Sequence, residues 1–154
     1  MEVNINNEWT LQFPDGFHVM DEEERRGLNF IEKGPGECLK DPDRHIIVSI
    51  SWKKAGLFTA LADPADAIKA METKVSKAMQ PFGYKLDSFS ERSSGGRSFS
   101  GFRYTYSVQG TGMTGESCIG KNGKVFYYLH CYYRTAMPES SDVWKGILDS
   151  AKWL

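Results

Sequence analysis

The sequence predicts an α+β domain in which an antiparallel sheet of about six to seven strands carries one helix on each face. Three observations support this fold class. The stretch 101–135 is rich in strand-forming residues and contains an Asn-Gly turn. Its last strand, 125–133, is apolar or aromatic on both faces, so both faces must be covered. Two further stretches have apolar residues at helical spacing.

The N-terminal half of the chain predicts four strands separated by turn sequences. Residues 8–13 alternate apolar and polar side chains and end at Pro14-Asp15-Gly16, which favours a turn. The acidic segment 21–26 forms either an exposed loop or one helical turn. The most strand-like segment is 45–52, because it is rich in Ile and Val. The other two predicted strands are 17–20 and 28–33.

Two helices are predicted, one in mid-chain and one at the end. Asp63 is placed to cap the first helix, and Pro64 suits the first helical position because its missing N–H costs nothing there. Pro81 and Gly83 end the helical pattern. Ser140 or Ser141 caps the second helix. The apolar stripe of that helix continues to the last residue and comprises Val143, Trp144, Ile147, Leu148, Ala151 and Leu154. Between the helices, 84–92 predicts another strand.

The turn Lys121-Asn122-Gly123-Lys124 predicts a two-residue type I′ hairpin, because Asn and Gly both tolerate positive φ. In that register Lys121 opposes Lys124 and Gly115 opposes His130. Side chains alternate between the two faces of a strand. One face of the last strand therefore carries Val125, Tyr127, Leu129, Cys131 and Tyr133, and the other carries Phe126, Tyr128, His130 and Tyr132.

The composition excludes several classes of protein. At 154 residues the chain is expected to form one domain, 1–154, which needs neither a disulfide nor a metal to fold. The 19 Lys and Arg against 20 Asp and Glu argue against a nucleic-acid partner. No apolar run is long enough to span a membrane, and no signal peptide is visible. The expected location is cytoplasmic, or the envelope or exterior if a leader has been removed.

Three cysteines, Cys38, Cys118 and Cys131, form an odd set without metal-ligand spacing. In the predicted register Cys118 and Cys131 share a face but are offset by about 13 Å along the strands, which is too far for a disulfide. The sequence therefore predicts that Cys118 and Cys131 are not bridged.

Three segments are distinctive: the opening WTLQFPDGF, the meander at 101–135 with its lysine-flanked turn, and the closing VWKGILDSAKWL. In these segments the chain resembles the Mog1/PsbP-like superfamily and, within it, PsbP/DcrB-like bacterial domains. The resemblance implies an α/β/α sandwich around an antiparallel sheet and proteins that act by binding, such as a transport factor that contacts a small GTPase, photosystem subunits, envelope lipoproteins and secretion adaptors. It transfers no catalytic, cofactor-binding or metal-binding residue.

Three residue patterns are candidates for sites of chemistry. Gly110, Gly112 and Gly115 match G-x-G-x-x-G, but a strand follows them where a nucleotide site needs a helix, so turn or bulge roles are favoured. Ser117 and His130 are expected as diagonal neighbours on one face, without the carboxylate and oxyanion hole of a hydrolase. The cluster Asp41-Pro42-Asp43-Arg44-His45 is expected to be a solvated turn rather than a metal site.

The function predicted from sequence is non-catalytic binding of an unidentified protein partner. The expected surface is the apolar connection 52–61, represented by Trp52, Leu57, Phe58 and Leu61, since an exposed apolar loop marks a partner site. These residues could instead pack beneath the first helix. Two alternatives stay open: a small-ligand binder or hydrolase with a pocket near Ser117 and His130, and a homodimer that pairs through an edge strand. A monomer or weak dimer is expected.

Overall fold

Seven antiparallel strands form the main sheet of the computed structural model, which describes residues 1–28, 35–56 and 62–154. Three short strands form a second sheet in the order β1-β2-β10, and the main sheet has the order β3-β4-β5-β9-β8-β7-β6. The strands are β1 (Glu2–Ile5), β2 (Trp9–Gln12), β3 (His18–Val19), β4 (Gly36–Asp41), β5 (Ile46–Lys54), β6 (Lys85–Ser94), β7 (Arg97–Val108), β8 (Thr111–Asn122), β9 (Val125–Arg134) and β10 (Lys152–Trp153). The predicted antiparallel sheet is confirmed, and the second sheet was not foreseen.

The central strand β9 divides the core into two clusters, as its alternation predicts. Tyr127, Leu129, Cys131 and Tyr133 belong to a cluster that also contains residues of the small sheet and of helix α3 (Ser140–Asp149). Phe126 and Tyr132 belong to a second cluster that contains residues of helix α2 (Pro64–Met79). Because successive side chains of a strand point to opposite faces, the two clusters lie on opposite sides of β9.

Helix α2 begins as the sequence predicts. The side chain of Asp63 accepts a hydrogen bond from Ala65 N at 3.4 Å, and Pro64 occupies the first helical position. A short 3₁₀ helix (Gln80–Phe82) follows, and Gly83 closes it with a φ of 74°. Ile68, Met71 and Met79 are buried, and the helix packs on β7 and β8.

Helix α3 differs from the prediction at both ends. Neither Ser140 nor Ser141 caps it, because the N-cap residue is Glu139 and makes no side-chain cap bond. Ser141 Oγ instead donates to Glu116 Oε2 on β8 at 2.8 Å. The helix ends at Asp149 rather than continuing to Leu154. Beyond it, β10 pairs with β2, and Leu154 N donates to Glu8 O at 2.8 Å.

The hairpin register between β8 and β9 corrects the predicted one. Asn122 pairs with Val125, so the two turn residues are Gly123 and Lys124. Of these only Gly123 has a positive φ, at 59°. A type II′ turn requires a positive φ only at its first central residue, whereas a type I′ turn requires it at both. Glycine adopts a positive φ at little cost, so Gly123 suits the first position. Every cross-strand pair therefore moves by two positions, while the residues on each face stay the same.

Other differences concern short or undescribed segments. Strands β1 and β4 were not predicted, and the predicted strand 28–33 lies outside the described residues except for Leu28. The segment 21–26 contains the one-turn helix α1 (Glu22–Arg26), whose capping box joins Asp21 and Glu24. All three cysteines are buried and free. The observed register places Cys118 and Cys131 two residues out of step instead of the predicted four.

Candidate binding site

Of the four residues predicted to form the partner surface, only Trp52 lies within the described residues. Trp52 lies on β5, is partly buried and packs against the cluster on the α3 side, with its ring centroid 6.4 Å from that of Tyr127. Leu57, Phe58 and Leu61 lie outside the described residues. The 52–61 surface therefore stays a prediction.

Ser117 and His130 come closer together than the predicted register allows. They face each other directly across β8 and β9 rather than diagonally, and Ser117 Oγ lies 2.7 Å from His130 Nδ1. The side chains are buried, with 3% of Ser117 and 6% of His130 exposed. The His130 ring also stacks on Tyr132, with centroids 6.1 Å apart. The pair lies inside the core, not on a surface.

The chemistry of this pair favours a structural role. Burial lowers the pKa of His130 to about 4, so the imidazole is neutral at pH 7. A general base works best when its pKa is near the working pH, and a substrate must also reach it. Within the described residues, no carboxylate hydrogen-bonds to His130. A cavity of about 270 Å³ on the α3 side is lined by Ser117, but His130 is not among its described lining residues.

The Asp41–His45 turn is exposed at Pro42, Asp43 and His45, as the sequence suggests, but Asp41 at its start is buried. Asp41 is only 1% exposed, and its Oδ1 accepts hydrogen bonds from the backbone N–H groups of Asp43 and Arg44, both at 3.1 Å. Its second oxygen contacts the Arg44 guanidinium. Burial pushes the pKa of Asp41 upward, but the Arg44 N–H, guanidinium and charge outweigh it, so the net pKa is lowered. No group of metal-ligating side chains occurs among the described residues.

The glycine pattern at 110–115 is built into strands and a turn. Gly110, with a φ of 82°, forms the β7–β8 turn together with Gln109. Gly115 leaves room for the ring of Tyr104, because an added Cβ would lie 2.3 Å from Tyr104 Cζ. Strand β8 continues through the pattern, so no helix N-terminus is present to hold a phosphate.

A cleft of about 590 Å³ crosses one end of the main sheet and is larger than the cavities of about 270 and 320 Å³ elsewhere in the described residues. Five strands contribute to it in the order β4, β5, β9, β8 and β7. Tyr106 and Tyr132 are 5% and 4% exposed, and Val108 is 39% exposed. The described lining residues are Lys40, Asp41, Pro42, His45, Ile46, Ile47, Tyr106, Val108, Thr111, Met113, Tyr132 and Arg134. We call this the sheet-end cleft.

Some charged side chains of the sheet-end cleft have an ion-pair partner among the described residues, and one does not. Asp41 is neutralised by Arg44, and Lys40 Nζ lies 3.1 Å from Glu24 Oε2. Arg134, in contrast, is exposed, and its side chain makes no hydrogen bond or ion pair with any described residue. Burial raises the pKa of Tyr106 and Tyr132, so both phenols are neutral. In its described part the cleft therefore combines an apolar, aromatic lining with one uncompensated cation, Arg134.

Sequence reasoning missed this cleft because no single segment contains it. Tyr106, Val108, Tyr132 and Arg134 each follow the strand alternation, which is the one signal that places them on a common face. Their proximity depends on the order of five strands and on the corrected β8–β9 register. Neither can be deduced from local patterns.

No family model and no curated protein matches this chain. No helix in the described residues is both long and apolar enough to cross a membrane. Solved structures do match along almost the whole length. The solution structure of cyanobacterial PsbP from Synechocystis has a TM-score of 0.73 and 12% identity, covering 100% of this chain and 92% of that one.

Two further structures share the fold at low identity. LpqN, involved in cell envelope biogenesis of Mycobacterium tuberculosis, has a TM-score of 0.64 and 18% identity, with 94% of this chain and 82% of that one covered. The Saccharomyces cerevisiae Ran-binding protein Mog1p has a TM-score of 0.61 and 8% identity, covering 99% and 94%. Together with the antiparallel sheet and its two core clusters, these likenesses show that the chain has the Mog1/PsbP-like fold.

Proposed function

We propose that this chain is a non-catalytic module that binds a protein partner through the sheet-end cleft. The observation that carries the proposal is the combination, in one open cleft, of buried tyrosine rings with the uncompensated charge of Arg134. Tyrosine and arginine are enriched at the centres of protein interfaces. Here Arg134 and Val108 are exposed to a partner, while Tyr106 and Tyr132 line the cleft with only a small exposed fraction.

The shared fold is compatible with this proposal. One protein of the same fold, Mog1p, is named as Ran-binding. The burial of Ser117 and His130, with an imidazole that is neutral at pH 7, argues against a hydrolase centre there. The 52–61 connection is the second candidate surface for binding the protein partner.

Site-specific photocrosslinking tests the proposal and separates the two surfaces. Benzoylphenylalanine is placed at Val108 on the cleft rim, at Phe58 in the predicted connection, and at Phe89 as a control. Phe89 is 45% exposed, similar to Val108 at 39%, and does not line the cleft. Each protein is irradiated in lysate of the source cell, and crosslinked species are identified by mass spectrometry.

The expected result is a discrete adduct from position 108 that is absent from position 89 and is lost when Arg134→Glu is added. An adduct from position 58 alone would move the partner surface to the 52–61 connection. If positions 108 and 58 give no more adduct than position 89, the protein-partner proposal is wrong.

A further inference from the structure

We infer that the sheet-end cleft binds an extended, acidic segment of the partner chain, with an apolar side chain over Tyr106 and Tyr132 and a neighbouring carboxylate on Arg134. The inference rests on the proposed function and names the chemistry of the partner. Three features carry it: the length of the cleft, the nature of its lining and the position of its unpaired charge.

The length fits a peptide strand. The cleft runs from Lys40 on β4 to Val108 on β7, which are separated by four strand-to-strand steps. Neighbouring strands lie about 4.8 Å apart, so the cleft crosses about 19 Å. An extended chain rises about 3.3 Å per residue, and about six residues cover that distance. A small organic anion would fill only part of it.

The described lining supplies an apolar anchor site beside one cation that has no charge partner, Arg134. Ile47, Tyr106, Met113 and Tyr132 belong to, or pack against, the same core cluster and lie on four adjacent strands. Arg134 is two residues beyond Tyr132 on β9, so both side chains point to the same face. An apolar side chain and a carboxylate on nearby positions of one peptide can therefore contact both.

The sign of the charge selects an acidic partner. Asp41 is the carboxylate among the described lining residues, and Arg44 neutralises it. Lys40 is held by Glu24, which leaves Arg134 as the cation of the described lining that has no partner. A guanidinium pairs with a carboxylate through two parallel hydrogen bonds, which strengthens and orients the contact. A basic peptide would meet repulsion from the same group.

A charge-swap selection tests this inference. A random seven-residue peptide library displayed on phage is selected against wild-type protein, Arg134→Glu and Lys124→Glu. Lys124 is the matched control, because it is exposed and lies in the β8–β9 turn, about ten residues along the hairpin from Arg134. Synthetic peptides with the enriched sequences are then titrated by fluorescence anisotropy, and benzoate is titrated as a small-anion probe by NMR.

Wild-type protein and Lys124→Glu are expected to enrich the same peptides, with Asp or Glu close to an aromatic or branched side chain. Arg134→Glu should weaken their binding roughly tenfold or more and should select Lys or Arg at the acidic position. The inference is wrong if the enriched peptides lack acidic residues, if they bind Arg134→Glu equally well, or if benzoate binds the cleft and no peptide does. Crosslinking at Val108 together with non-acidic peptides would overturn this inference and leave the proposed function standing.

Discussion

Ser117 Oγ lies 2.7 Å from His130 Nδ1 in the buried centre of the main sheet. The hydroxyl and the imidazole contact each other across β8 and β9, and the His130 ring stacks on Tyr132. Burying a polar group without such a partner costs free energy, so the contact is needed for a stable core. The burial of His130 becomes unfavourable when the imidazole must take up a proton, because a charged group is then buried.

We therefore expect the stability of the protein to fall between about pH 6.5 and pH 4 because of His130. Burial lowers its folded-state pKa to about 4, whereas an unfolded histidine has a pKa of about 6.5. Between pH 6.5 and pH 4, His130 is protonated in the unfolded chain but neutral in the folded one, so acidification favours unfolding. Above pH 6.5 both states are neutral and the effect is absent.

Urea denaturation at pH 7.5 and pH 4.5 measures this effect. Wild-type protein should lose roughly 2 to 3 kcal/mol of unfolding free energy more than His130→Gln over that interval. The two exposed histidines, His18 and His45, are present in both proteins and cancel. Equal pH slopes for wild type and His130→Gln would show that His130 is not the titrating group.

The β8–β9 hairpin shows how far local sequence determines this structure. The alternation along 125–134 correctly assigns each side chain to its face, because period 2 follows from strand geometry alone. The register depends on which residues occupy the turn. Asn122 belongs to strand β8, where it pairs with Val125, and is not a turn residue. A shift of two positions leaves the faces intact but brings Ser117 opposite His130.

The C-terminus shows why other elements could not be predicted. The apolar spacing of Ala151 and Leu154 continues that of helix α3, yet Lys152 and Trp153 pair with β2. The stacking of Trp153 on Trp9, with ring centroids 4.5 Å apart, outweighs the local helical pattern. The sheet-end cleft was missed for the same reason, since its residues are brought together only by long-range strand order.

Gly120 is expected to resist replacement because an aromatic ring occupies its side-chain position. A Cβ at Gly120 would lie 2.2 Å from Cε1 of Phe99, and the ring of Phe99 is fully buried. Gly120→Ala should therefore cost about 1 to 3 kcal/mol or more through overpacking. Gly112→Ala in the same strand is the control, since its Cβ would meet Thr135 at an ordinary 3.7 Å. Thermal and urea unfolding of both variants check the prediction, and equal stabilities would contradict it.

Trp153 is expected to contribute much of the free energy that holds β10 against the rest of the protein. Its ring stacks on Trp9, the guanidinium carbon of Arg97 lies 4.5 Å from its centroid, and its Nε1 donates to Ser94 O at 3.0 Å. Trp153→Ala should cost roughly 2 to 4 kcal/mol, somewhat below the range for a fully buried tryptophan. Lys152→Ala is the control, because that side chain is exposed.

Urea unfolding of the two variants, with near-ultraviolet circular dichroism of the aromatic cluster, measures the difference. We expect Trp153→Ala to lose stability and part of the aromatic signal while Lys152→Ala keeps both. A Trp153→Ala protein as stable as Lys152→Ala would mean that β10 adds nothing to the fold.

Glu116 and Tyr133 are expected to be energetically coupled, because Tyr133 Oη donates to Glu116 Oε2 at 2.6 Å. The same oxygen accepts from Ser141 Oγ, and Glu116 Oε1 lies 3.3 Å from Arg103 Nη2, so one carboxylate joins the sheet to the start of α3. Tyr133→Phe should cost about 1.5 to 3 kcal/mol, as expected for a hydrogen bond to a charged group. In a double-mutant cycle with Glu116→Gln, measured by urea unfolding, the two losses should overlap by at least about 0.5 kcal/mol. Strictly additive losses would show that the pair does not act as one connection between β8 and β9.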